Sequence, residues 1–81
     1  MLANLQSLEG TVDAETTLTL NRKSRKIIIT NDHASGELSF KFNASEAFGT
    51  LKGTETISLE FNTPIIIIKG TDIPYRIWVF G

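Results

Sequence analysis

Along the 81 residues, apolar and polar positions alternate in three short stretches. Leu18 and Leu20 alternate with threonines in TTLTLN (16–21). In ELSFKFN (37–43), Leu38, Phe40 and Phe42 alternate with Ser39, Lys41 and Asn43. In TISLEF (56–61), Ile57, Leu59 and Phe61 alternate with Ser58 and Glu60. A period of two, with one apolar face, predicts half-buried antiparallel strands. Three further stretches have no polar face: KIIIT (26–30), PIIIIK (64–69) and YRIWVFG (75–81). They put Ile27 and Ile29 against Ile28, Ile65 and Ile67 against Ile66 and Ile68, and Tyr75, Ile77 and Val79 against Trp78 and Phe80, so each demands cover on both sides. The segments Asn31–Gly36, Gly53–Thr54 and Gly70–Asp72 are rich in residues that tolerate turn conformations and separate the strands. AFGTLK (47–52) supplies another short strand, with Gly49 as a bulge or bend. The expected fold is all-β, six or seven strands after Val12 forming a small antiparallel sandwich of jelly-roll type. Leu18, Leu20, Leu38, Phe40, Phe42, Ile57, Leu59 and Phe61 are expected to face inward.

Before Val12 the pattern changes. Leu2, Leu5 and Leu8 recur every third residue ahead of Gly10, which predicts one or two helical turns with an apolar side. Such a segment is too short to stand alone. Residues 1–14 therefore read as an N-terminal arm whose Leu2, Leu5 and Leu8 lie on its own sandwich or on a neighbouring copy, and residues 15–81 as the sandwich domain.

Composition narrows the function. A chain this small, 41% hydrophobic, makes one domain at a size where oligomerisation often completes the core. The net charge of −1 and pI near 5.7 give no field to gather a polyanion, so neither nucleic acid nor an anionic membrane is an expected partner. Cysteine is absent, which removes disulfides and thiolate chemistry. The first residues lack a basic, then apolar, signal sequence, and the longest apolar run is far short of the roughly 20 residues of a membrane helix. The chain reads as a complete, soluble product made in a cytoplasm.

No catalytic constellation emerges, and no cofactor or metal site is expected. His33, the single histidine, sits in TNDHASG beside Asp32 and near Ser35. A triad needs a separately placed nucleophile and oxyanion donors, and zinc needs three or four ligands, so the segment reads as turn chemistry. The NAS triplet at Asn43 matches a glycosylation acceptor only by chance in a protein without a signal sequence. RKSRK (22–26) could touch phosphate, but its place just before an isoleucine strand is that of charged gatekeepers against aggregation. Tyr75, Arg76, Trp78 and Phe80 could stack on a sugar or a base, although aromatics in a closing strand more often fill a core or an interface.

IITNDHASGELSFKF (28–42), followed by LKGTETISLEF (51–61) and YRIWVFG (75–81), resembles the small all-β structural modules of tailed-bacteriophage virion proteins, which decorate heads or build fibres and tail parts. The resemblance implies a non-catalytic virion protein that self-associates, a trimer ahead of a dimer, and attaches to other virion proteins at the capsid or tail. A carbohydrate- or cell-surface-binding sandwich is the alternative. The two-faced strands mark Ile65, Ile66, Ile67, Ile68, Trp78 and Phe80 as the expected oligomer interface.

Overall fold

The computed structural model describes residues 5–81. Their eight strands are β1 (Leu5–Val12), β2 (Thr16–Thr19), β3 (Lys26–Asn31), β4 (Leu38–Lys41), β5 (Gly49–Leu51), β6 (Thr56–Leu59), β7 (Ile65–Lys69) and β8 (Ile73–Phe80). They form two four-stranded antiparallel sheets, β1-β8-β3-β6 and β2-β7-β4-β5. Among the described residues there is no helix, and so none long and apolar enough to cross a membrane.

The sandwich follows from which strands carry two apolar faces. β3, β7 and β8 all lie inside their sheets, each flanked by a strand on both sides. Their inward residues Ile27, Ile29, Ile66, Ile68, Ile73, Ile77 and Val79 meet between the layers, joined by Val12, Leu20, Leu38, Phe40 and Leu51. Each such large side chain removed from water stabilises by about 1.5–3 kcal/mol. The alternating strands supply the rest: Leu18, Phe42, Ile57 and Leu59 are partly buried against that core. Phe61 departs from the expected inward set, since it is 41% exposed. β6 ends at Leu59, and Phe61 lies beyond it with its ring 4.9 Å from that of Phe42.

The segment before Val12 is a strand and not a helical turn. β1 pairs with β8 along its whole length, from Leu5 opposite Phe80 to Val12 opposite Ile73. In an extended chain a three-residue spacing puts leucines on opposite faces: Leu8 lies opposite Ile77 on the core side, and Leu5 opposite Phe80 on the outer side. β1 has eight partners on β8, and these backbone bonds outweigh the helical preference of so short a run. The expected arm thus contributes a strand to its own sandwich, while Leu2 lies outside the described residues.

Two buried polar groups fasten the ends of the layers. The serine of the RKSRK turn, Ser24, is fully buried; its hydroxyl donates to the Phe61 carbonyl and accepts from the Thr63 N–H at 3.1 Å. The Asn31 side chain donates to the carbonyls of Gly36 (2.8 Å) and Leu51 (3.0 Å) and accepts from the His33 N–H at 2.9 Å. Among the described residues every buried side-chain polar atom has a partner, as a core that excludes water requires.

Candidate interaction site

The strand registers settle where each expected interface residue points. On β7, Ile66 and Ile68 belong to the core, whereas Ile65 and Ile67 face out of the second sheet. Ile67 is nonetheless only 5% exposed. Its neighbours in register are Thr17 and Lys41, and Lys69 follows two residues on. The ammonium groups of Lys41 and Lys69 lie 4.3 and 4.4 Å from the centre of the Phe48 ring, so the two lysines and that aromatic lie over the outer face of this sheet. Lysine stems readily cover apolar surface in this way. The second apolar face of β7 is therefore covered by its own chain.

Trp78 and Phe80 point out of the other sheet, on the far side of the sandwich. They lie on a different surface of the chain from the outward residues of β7, because β7 and β8 belong to different layers. What β8 does gather is a set of rows across its own sheet. Leu5, Phe80 and Lys26 form one, Ser7, Trp78, Ile28 and Ser58 the next, and Glu9, Arg76, Thr30 and Thr56 a third. Trp78 is 46% exposed, the largest apolar side chain so placed. With Ile28, Thr30 and Arg76 it bounds a shallow cleft of about 220 Å³. Ile28 and Leu5 were not singled out by sequence reasoning for this face; their position opposite Trp78 and Phe80 depends on strand order.

Beside the cleft, Arg76 holds Asp32 by two hydrogen bonds, Nε to Oδ2 at 2.7 Å and Nη2 to Oδ1 at 3.0 Å. The hydrogen bond to Asp32 and that carboxylate's charge raise the guanidinium above its ordinary pKa, with Glu9 adding to the effect. Both partners remain accessible to water, so the pair serves to fix the position of Arg76 more than to stabilise the fold. Thr30 and Thr56 share a hydroxyl hydrogen bond of 3.1 Å in the same row. Tyr75, the other aromatic of this strand, points inward and packs on the core, so it takes no part in this face.

His33 is used by its own turn. Its Nδ1 accepts from the N–H groups of Ser35 (3.0 Å) and Gly36 (2.7 Å), and its carbonyl accepts from the Thr54 N–H at 3.0 Å. Ser35 contributes its backbone N–H to this arrangement. The Asn43 carboxamide accepts from both the N–H and the hydroxyl of Ser45, at 3.0 and 2.7 Å, closing a local turn. Among the described residues no group of three or more histidine and carboxylate side chains is placed to hold a metal ion.

No family model matches the chain, and no curated protein matches it. Solved structures do resemble it. An RmlC-like cupin protein from Desulfovibrio desulfuricans superposes with a TM-score of 0.60 at 16% identity, over 95% of this chain and 72% of that one. A cupin superfamily protein from Desulfitobacterium hafniense gives 0.61 at 10% identity, over 99% and 69%. A Vibrio parahaemolyticus protein of unknown function gives 0.57 at 16% identity, over 98% and 89%. At such identities the likeness concerns architecture: the chain is a small antiparallel β-sandwich of the cupin-like, jelly-roll kind.

Proposed function

We propose that this chain is a non-catalytic structural protein that self-associates through the outer face of β1-β8-β3-β6. The observation that carries the reading is the exposed Trp78, set among Ile28, Phe80 and Leu5 on a face that no other part of the described chain covers. Exposed aromatics in an apolar setting are what protein interfaces are enriched in. The charges beside the stripe are of both signs, Glu9 and Asp32 against Arg76 and Lys26, which suits a like surface better than a highly charged partner. The resemblance to tailed-bacteriophage structural modules supplies the setting: a virion protein attached to the capsid or tail.

Sedimentation of the wild type and of Trp78→Lys tests this. The wild type is expected to assemble at tens of micromolar, and the folded variant to sediment as a monomer. A wild type that is monomeric at that concentration overturns the reading. The Arg76–Asp32 pair beside Trp78 favours one second reading, a sugar-binding cleft, because a pyranose stacks on an indole while fixed polar groups take its hydroxyls. A shift of Trp78 fluorescence with added oligosaccharide in a monomeric wild type would establish that reading instead.

A further inference from the structure

The four edge strands of the sandwich are unequal. β2 and β6 have four residues each and β5 has three, whereas β1 has eight. Short strands, lysine, proline and bulges are the usual protection of a sheet edge. β1, with the sequence LQSLEGTV, contains neither lysine nor proline and a single charge, Glu9, and it stays in unbroken register with β8. In an antiparallel ladder every second residue directs both its N–H and its C=O away from the neighbouring strand. Among the described residues no backbone group of β1 bonds to anything but β8. About half of its backbone polar groups are thus aimed outward from the sheet, along an edge twice as long as any other. The inward Gln6 side chain accepts from the Asn21 N–H at 2.8 Å, which ties this edge to the segment after β2 in the second layer.

We propose that the outward edge of β1 pairs with β1 of a second copy, antiparallel and about a two-fold axis, to make a continuous eight-stranded sheet. This rests on the self-association reading above and adds a second contact, at the edge of the same sheet. The strand is its own complement: an axis perpendicular to the sheet brings it back antiparallel with the same face toward the core, so core-facing residues pair with core-facing residues. Of such registers, the one centred on Leu8 sets Leu8 opposite Leu8 of the partner subunit, Glu9 opposite Ser7 of the partner subunit and Leu5 opposite Thr11 of the partner subunit. A shift by one residue of the axis, to Glu9, would place the two carboxylates face to face. The pairing also sets both Trp78 side chains on one continuous outer face, and a two-fold axis makes the unit a dimer where the phage resemblance implies a trimer.

Amide hydrogen exchange on the full chain, in assembled and in diluted samples, tests the proposal together with Ser7→Pro and Leu8→Pro. Neighbouring residues aim their N–H groups in opposite directions, so one of these prolines removes only an outward donor. That variant is expected to keep its far-ultraviolet circular dichroism while its dissociation constant rises at least about tenfold, one lost hydrogen-bonding position of roughly 1.4 kcal/mol. In the wild type, alternate amides of Leu5–Val12 are expected to exchange at least about tenfold more slowly in the assembled sample. Assembly without that alternating protection overturns the edge contact even if both proline variants unfold. Should Trp78→Lys dissociate an oligomer whose β1 amides stay open, the face reading stands and the edge pairing falls; a monomeric wild type removes both.

Discussion

Phe40 lies across Gly49. The two are direct partners between β4 and β5, and a Cβ at position 49 would come within 2.8 Å of Cζ of the ring. The glycine is needed for space and not for its backbone freedom, since no glycine among the described residues has positive φ. Gly49→Ala must displace a ring that belongs to the core. It is expected to cost about 1–3 kcal/mol, whereas Thr50→Ala, at an exposed position, should stay within about 0.5 kcal/mol. Equal urea midpoints for the two variants would refute the packing described.

The Asn31 carboxamide is expected to be worth more than its size suggests. Replaced by leucine, it would leave the carbonyls of Gly36 and Leu51 and the N–H of His33 without their partner. Orphaned groups of this kind cost about 1–3 kcal/mol each when buried. Asn31→Leu should therefore lower the urea midpoint strongly, and Asn31→Asp, which keeps the acceptor for His33 but loses both donors, should also destabilise. A leucine variant as stable as the wild type would show that water replaces these bonds.

Gly53 and Thr54 share one turn in an unexpected way. Thr54, not the glycine, has the left-handed backbone, with φ of 67°. A Cβ on Gly53 would come 2.6 Å from the Ala34 carbonyl oxygen, so the glycine is there to let two backbones approach. A β-branched residue with positive φ is strained, and asparagine tolerates that region far better. Thr54→Asn should raise stability by up to about 1 kcal/mol, while Gly53→Ala should lower it, both read by thermal unfolding. A destabilised Thr54→Asn would mean that the threonine side chain has a role in the fold.

How much of this was legible depended on whether the signal was local. TTLTLN, ELSFKFN and TISLEF alternate, and their strands and inward leucines follow directly from a period of two. The turn chemistry of TNDHASG was likewise readable, because Asn, His and Ser act within a few residues of one another. The first strand was misread as helical because a three-residue leucine spacing fits either period over so short a length, and only the partnership with β8 decides it. Ser24 gave no signal, since a serine between basic residues is anchored by partners 37 and 39 positions away. Strand order was equally hidden, so nothing local told that Ile67 and Trp78 lie on opposite surfaces of the sandwich.

Ile66 and Ile67 provide the sharpest separation of core from surface. They are adjacent in β7, with exposures of 0% and 5%, and by exposure alone would be judged alike. Register distinguishes them. Ile66 pairs with the inward Leu18 and belongs to the core cluster, while Ile67 lies between Thr17 and Lys41 on the outer face. A lysine at 66 would put an unpaired ammonium into a core without compensating charge, which exceeds the stability margin of about 5–15 kcal/mol when desolvation is not relieved, and the chain should fail to fold. A lysine at 67 can run its stem along the neighbouring side chains and bring its charge to water, though it repels Lys41 and Lys69. Ile67→Lys should therefore fold with a loss of a few kcal/mol, near the scale of a lost buried aliphatic group. Because the outer face of β7 is covered by Phe48 and the two lysines, Ile67→Lys should also leave self-association unchanged. Circular dichroism on both variants and sedimentation on the second check these outcomes; an Ile67→Lys chain that folds but no longer assembles would move the interface to the second sheet.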